Sequence, residues 1–293
     1  MLGEIRGEVR FKEPLSFHTS LRIGGPADIF IVPQDVEDIR FALSFAEREQ
    51  LSLDVIGGGN NLLVSDRGVR GVVLKLEGCL GRAEFNGEEA VAGAGVSLSA
   101  LIREAAALNL GGIECLVGVP ATVGGAVAMN AGTPDGGIAD FISAVYFLYP
   151  DGTLGEFKPG AGSFSYRMFA APPGAVLIGA RLQLHRRPFA EIQKDIKVRL
   201  KQKKATQPLA LASAGCVWQN PASETATRLI EKVGLKGKRL NGAEISAKHA
   251  NFIVNRGGAS ATDIKALMQL TLDRVRNHFG ITLEPEMKTM GEI

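Results

Sequence analysis

Five consecutive residues, Gly57-Gly58-Gly59-Asn60-Asn61, follow a strand-like run and have the composition of an anion nest. Glycines put no Cβ in the way of successive backbone N–H groups converging on a phosphate, and they tolerate the left-handed conformations that such a loop uses. The same residues suit a plain tight turn, and the motif by itself does not choose between the two. A second region, Gly118-Val119-Pro120-Ala121-Thr122-Val123-Gly124-Gly125-Ala126, offers backbone donors, one hydroxyl and small side chains, with Asn130 shortly after. Bare backbone of this kind suits a flat polar ring, although a densely packed turn has the same composition. Two glycine loops, one suited to phosphates and one to a ring, point to a large nucleotide cofactor held across both. Flavin is the candidate.

Familiar alternatives fail on spacing. The dinucleotide fingerprint breaks at Leu62 in GGGNNL and at Leu98 in GAGVSL, and no glycine-rich stretch ends in Gly-Lys-Ser/Thr, which argues against a standard Rossmann enzyme and a kinase. His18, His185, His249 and His278 are scattered without a metal-ligand spacing, so no metal site is expected. Cys79, Cys115 and Cys216 are odd in number and far apart, which fits neither a disulfide framework nor a zinc site and implies a reducing compartment.

The elements that must position these residues come from an ordinary globular composition, 45% hydrophobic and 22% charged over 293 residues. A net charge of only +2 leaves no global field to hold a nucleic acid or an anionic membrane. The basic cluster Lys197, Arg199, Lys201, Lys203 and Lys204 has no interleaved aromatics and reads as a solvated helix face. Residues 115–134 carry no charge but are broken by Gly and Pro, which rules against a spanning helix, and MLGEIRGEVRFKEP has no apolar core of a signal peptide. The expectation is a cytoplasmic protein without an obligatory protein partner. Gly accounts for 36 of 293 residues, clustered rather than periodic, which points to close backbone approaches.

Along the chain, residues 27–33 read as a strand, 35–50 as a helix with Val36, Ile39, Leu43 and Ala46 on one face, and 51–56 as a second strand. That β-α-β unit delivers the chain into Gly57 at a place where α/β folds bind ligands. Strands are expected at 72–76, 89–94, 144–149 and 176–184, with an amphipathic helix at 98–108. Pro188 opens a charged helix over 189–204, and beyond Gly215 comes a smaller α+β pattern with a strand at 252–254. Ser260 and Asp263 resemble a capping box for a helix ending near Phe279, before Gly280. The boundary between domains is placed near residue 187.

Seven segments, LRIGGPADIF, GGGNNLLVSDRGVRGVVL, GVPATVGGAVAMNAG, SFSYRMF, SAGCVWQNP, KHANFIVN and LEPEM, occur in the order found in the UDP-N-acetylenolpyruvoylglucosamine reductase family and cover nearly the whole chain, from Leu21 to Met287. The chain resembles that family's shorter, type II branch. The resemblance implies an α+β architecture: a two-part FAD-binding domain of the vanillyl-alcohol-oxidase (PCMH) type at 1–187, with subdomains of about 1–78 and 79–187, and a smaller α+β substrate-binding domain at 188–293. Gly57, Gly58, Gly59, Asn60 and Asn61, with Gly118, Pro120, Ala121, Thr122, Gly124 and Gly125, would hold non-covalent FAD.

The reaction implied is reduction of the enolpyruvyl ether of UDP-N-acetylglucosamine to UDP-N-acetylmuramate in peptidoglycan synthesis, with NADPH as co-substrate. Hydride passes from flavin N5 to C3 and a protein acid protonates C2. By the same resemblance Arg167 meets the substrate carboxylate, and Glu286 stabilises the enolate if burial keeps it protonated. Cys216 stands where the family has a proton-donating serine; a thiol, with an ordinary pKa near ~8.5, is a competent acid at neutral pH. Asn130, Lys204 and Asn220 match substrate-binding positions. Three other readings remain: a flavin oxidase of the same fold, a cysteine-dependent hydrolase, and a nucleotide-binding module without catalysis.

Overall fold

The structure, a computed structural model, describes residues 2–76, 78 and 80–292; Cys79 lies outside the described residues. The elements used below are β1 (Glu8–Pro14), β2 (Pro26–Val32), α1 (Val36–Arg48), β3 (Leu53–Ile56), β4 (Leu62–Val64), β5 (Val69–Lys75), β6 (Ala83–Asn86), β7 (Glu89–Gly93), α2 (Leu98–Ala107), α3 (Val123–Ala128), α4 (Phe189–Thr206), α5 (Ala226–Lys232) and α6 (Ala261–Phe279). Two compact units form. The first comprises Met1–Phe11, Ile29–Gly58 and Gly71–Gln202, and the second Lys12–Asp28, Gly59–Arg70 and Lys203–Ile293.

This division differs from a single break near residue 187. Arg187 pairs with Glu114 and, at 2.7 Å, with Asp195, while Arg199 pairs with Asp135, so most of α4 stays with the first unit. Arg199, expected on a solvated helix face, is therefore committed to an ion pair. In the other direction Leu21, Ile23 and Leu63 bury themselves in the core of the second unit.

Most of a four-stranded sheet with the order β1-β2-β5-β3 belongs to the first unit, with β3 parallel to β5 in the register Leu53↔Val72 to Ile56↔Lys75. The β-α-β unit read from the sequence is thus real in its elements but has β5 inserted between its two strands. Helix α1 starts where Asp35 accepts the N–H groups of Glu37 (3.0 Å) and Asp38 (3.4 Å), and it buries Ile39, Ala42 and Ala46. Asp38 is itself buried. Burial pushes its carboxyl up, but the N–H groups of Gln34, Arg6 and Gly7 and the Arg6 guanidinium outweigh that, and its pKa lies below the ordinary value.

A five-stranded sheet completes this unit, in the order Leu154–Phe157, Ile142–Leu148, Val176–Gln183, β7, β6. All its pairs are antiparallel. Its inner face packs Ala90, Ala92, Val145, Phe147 and Ala180 with Leu98, Leu101 and Ala105 of α2 and Val123 of α3. The 3.6-residue period of α2 follows from that one-sided burial.

The second unit has a four-stranded sheet ordered Ala212–Cys216, Phe252–Asn255, Ala243–Ile245, Arg239–Leu240, and a separate parallel pair of β4 with Lys288–Met290. Helix α6 begins on the expected capping box, Ser260 with Asp263, and ends on Gly280 at φ +70, a left-handed position that favours glycine. Asp66 adds a second cap from far away in the chain. Its carboxylate accepts the N–H groups of Ala261 (2.7 Å) and Thr262 (3.0 Å) and the Thr262 hydroxyl (2.8 Å). No helix among the described residues is long and apolar enough to cross a membrane. Among the described residues no group of three or more His, Cys, Asp or Glu side chains is placed to hold a metal ion.

Candidate active site

The chain leaves β3 at Ile56 and enters the first glycine loop. A Cβ on Gly57 would stand 2.4 Å from the Thr122 hydroxyl oxygen, so within the first unit the two glycine loops meet where Gly57 carries no side chain. Thr122 is buried, and its hydroxyl accepts the Gly125 N–H at 3.2 Å to cap α3. The second loop is pinned on its other side: Leu98 donates to Ala121 O (2.9 Å), Val123 to Val96 O (2.8 Å) and Gly124 to Ala94 O (2.9 Å). A Cβ on Gly124 would approach that of Ala94 to 2.8 Å, so this glycine is required by packing. Gly118 takes φ +73, while Pro120 is exposed and Ala121 and Gly125 are half-buried. Adjoining backbone stretches free of side chains, with N–H donors and one capped helix start, are a donor set that fits the phosphates and ring of FAD.

Gly59 to Asn61 belong to the second unit. Gly59 has φ +63 and packs on the His18 carbonyl, where a Cβ would come within 2.0 Å of the oxygen; Ser20 donates its N–H to Gly59 O at 3.1 Å. Asn61 turns its side-chain amide to the protein, donating to the Glu286 carbonyl at 3.1 Å.

Arg167 and Asn130 come together in the first unit. Arg167 lies in the turn of the hairpin joining Phe164–Ser165 to Met168–Phe169, at φ +56, a conformation costly for a residue with a Cβ. Its Nη1 donates to Gly132 O at 3.1 Å, and its guanidinium lies 5.1 Å from the Tyr166 ring centroid. Asn130, also left-handed at φ +40, donates from Nδ2 to Ser165 O at 2.8 Å. Its amide braces the Arg167 hairpin, a use that its expected role in substrate binding did not anticipate.

Cys216 and Glu286 share the second unit. Cys216 ends its strand opposite Phe252, half-buried, after an irregularity in the ladder at which Gly215 takes φ +77. Such a bulge re-aims the side chain that follows it. The next residue, Val217, accepts the Glu286 N–H at 2.8 Å, and Gln219 donates to Glu284 O at 2.8 Å, so the stretches carrying the two candidates run side by side. Asn251 locks the Cys216 stretch: its backbone carbonyl takes the Val217 N–H (2.9 Å), its Oδ1 the Trp218 N–H (2.9 Å), and its Nδ2 donates to Trp218 O (2.8 Å). The sequence reading did not single out Asn251 for this role, although an Asn placed directly before the apolar Phe252–Val254 run was a signal.

Asn220 is exposed, and its Oδ1 accepts the Ala226 N–H at 3.0 Å at the start of α5. Lys204 is exposed on α4, with its carbonyl taking Lys248 Nζ at 2.5 Å. Nearby His249 has its ring centroid 4.8 Å from that of Phe252, edge to face, and its buried Nδ1 has no partner among the described residues. Burial lowers its pKa.

A family model described as UDP-N-acetylenolpyruvoylglucosamine reductase, C-terminal domain, matches residues 207–290, and one described as FAD binding domain matches residues 27–158. A UDP-N-acetylenolpyruvoylglucosamine reductase of Anaeromyxobacter sp. (strain Fw109-5) is 43% identical over 289 residues, 98% of this chain and 90% of the relative. One from Halalkalibacterium halodurans is 39% identical over 98% of this chain and 95% of its own. The crystal structure of the Thermus caldophilus reductase superposes with a TM-score of 0.84 at 37% identity, covering 98% of this chain and 99% of that one. A Physcomitrella patens BBE-like 1 variant, 15% identical over 93% of this chain and 59% of its own with a TM-score of 0.50, shares the fold alone. The expected two-part flavin domain with an α+β partner is the architecture present, and the chain belongs to the UDP-N-acetylenolpyruvoylglucosamine reductase family.

Proposed function

We propose that this chain is an FAD-dependent oxidoreductase that reduces the enolpyruvyl ether of UDP-N-acetylglucosamine to UDP-N-acetylmuramate, a step of peptidoglycan synthesis, with NADPH as electron source in the cytoplasm. FAD, held without a covalent bond, supplies the hydride received by C3 of the enolpyruvyl group. The protein's own residues then have two tasks. Arg167, a permanent cation, meets the substrate carboxylate and spreads the negative charge that develops through C2. Cys216 gives its thiol proton to C2, which completes the addition of one hydride and one proton across the double bond. Glu286 stabilises the enolate beside it. Asn220 and Lys204 contribute to holding the diphosphate, and Asn130 keeps the Arg167 hairpin in place.

The observation that carries this reading is the Glu286 N–H bond to Val217 O at 2.8 Å, which fixes the carboxylate-bearing stretch beside the thiol-bearing one. Purified protein mixed anaerobically with NADPH and the enolpyruvyl sugar nucleotide should consume both and release the lactyl ether. Consumption of NADPH only in the presence of oxygen would identify an oxidase instead.

A further inference from the structure

The main chain at Glu286 is held from two sides. Its N–H donates to Val217 O at 2.8 Å, on the Cys216 stretch, and its carbonyl accepts the Asn61 side-chain amide at 3.1 Å. Two residues on, the Lys288 N–H donates to the Asn61 carbonyl at 3.0 Å. Asn61 therefore grips the 286–288 peptide at both ends, with its side chain at one and its main chain at the other. From there a parallel ladder continues with Lys288↔Leu62, Thr289↔Leu63 and Met290↔Val64. Register matters here, because a slip by one residue turns every side chain to the opposite face.

We propose that Asn61 is a positioning residue for Glu286: its amide fixes the backbone that aims the carboxylate. The inference rests on the reading of Glu286 given above. The chemistry is specific to an amide. Its N–H can donate to the 286 carbonyl, whereas an aspartate at the same place would set acceptor against acceptor.

Asn61→Ala in the FAD-loaded full-length protein tests this. The kcat for substrate reduction should fall about 10–100-fold with KM for the sugar nucleotide within about threefold, because a misplaced catalytic group costs turnover before it costs binding. Asn61→Ala combined with Glu286→Gln should be no slower than Glu286→Gln alone, as expected when one residue acts through the other. In the apoprotein, amide hydrogen exchange at Met287 and Lys288 should speed up, a readout independent of turnover. The proposal is overturned if the losses of the two variants multiply, or if the Asn61→Ala rate returns to normal once FAD saturates. Should Asn61→Ala not fold, Asn61→Ser, with a hydroxyl that can donate, is to show a smaller loss of the same kind, and an unaltered exchange pattern in it overturns the proposal equally. Normal turnover by Glu286→Gln would instead remove the reading beneath the proposal, while the exchange data would still report whether Asn61 holds the strand.

Discussion

Replacing Gly57 by alanine adds one methyl group at the point where the two glycine loops meet. That carbon would lie 2.4 Å from Thr122 Oγ1, but 3.6 Å from Thr122 Cβ and Cγ2, an ordinary contact. The hydroxyl alone is the obstacle. Thr122 is buried at 3% exposure and is β-branched, so its oxygen has few places to go. If the side chain rotates, α3 loses its cap, a loss of about 1 kcal/mol. If it stays, overpacking costs about 1–3 kcal/mol. The expected loss is thus about 1–3 kcal/mol, a fall in Tm of roughly 2–5 °C for a chain of this size. Thr122→Ala should cost about 1 kcal/mol through the cap alone, and in its background Gly57→Ala should be nearly free. Thermal unfolding of the four proteins, with and without FAD, decides the matter. The gap in Tm between loaded and apo forms should shrink in Gly57→Ala, since stabilisation by a ligand follows its affinity. Strict additivity of the two substitutions would refute the account of the loops as interlocked.

Cys216→Ala should accept electrons from NADPH at near the normal rate but reduce the enolpyruvyl substrate ~10²–10⁴-fold more slowly, with Cys216→Ser far less affected; rapid mixing of each half-reaction checks this, and equal damage to both would indicate packing. Denaturation followed by filtration should release all yellow colour from the protein, and colour kept on the chain would contradict non-covalent FAD. Glu244 is buried, and Arg256 first, then Arg239, hold its pKa below the ordinary value against burial. A depressed carboxylate stabilises the fold above its unfolded pKa, near ~4.3, and the contribution is lost as pH falls through the folded value. Tm measured against pH should therefore show wild type well above Glu244→Gln at neutral pH and the gap closing in acid; a gap independent of pH would rule the pair out as the cause.

Local signals made most elements legible. The period of α2 and the pair Ser260 and Asp263 before α6 each act within a few residues, so sequence carries them directly. Candidate site residues stood out where a motif concentrates them, as in the glycine loops. What sequence could not carry was pairing over distance. Asn61 and Glu286 are 225 positions apart, and nothing at either one names the other. Asn130 was placed among the substrate-binding positions through the family resemblance, and the bond of its amide to Ser165 O, a carbonyl that any residue could supply, was not legible. The break near residue 187 was read from Pro188 and a change in charge, whereas the cores divide by which apolar side chains bury together, and ion pairs of Arg187 and Arg199 carry α4 past that point.

The interleaving of the two units limits how the protein can be made and how its gene can be recombined. Leu21, Ile23 and Leu63 are 1%, 3% and 1% exposed within the core of the second unit, and β4 supplies the only strand paired with Lys288–Met290 among the described residues. At about 1.5–3 kcal/mol for each buried aliphatic side chain, a fragment starting at residue 203 would forgo an amount comparable with the whole stability of a typical domain. Such a fragment cannot be exchanged between relatives as a cassette. On the ribosome the segments around Leu21 and Leu63 emerge long before their core partners, which lie between Ala214 and Met287. Folding of the second unit thus waits for those later residues, and a chaperone that shields the apolar segments around Leu21 and Leu63 would have its main work in that interval.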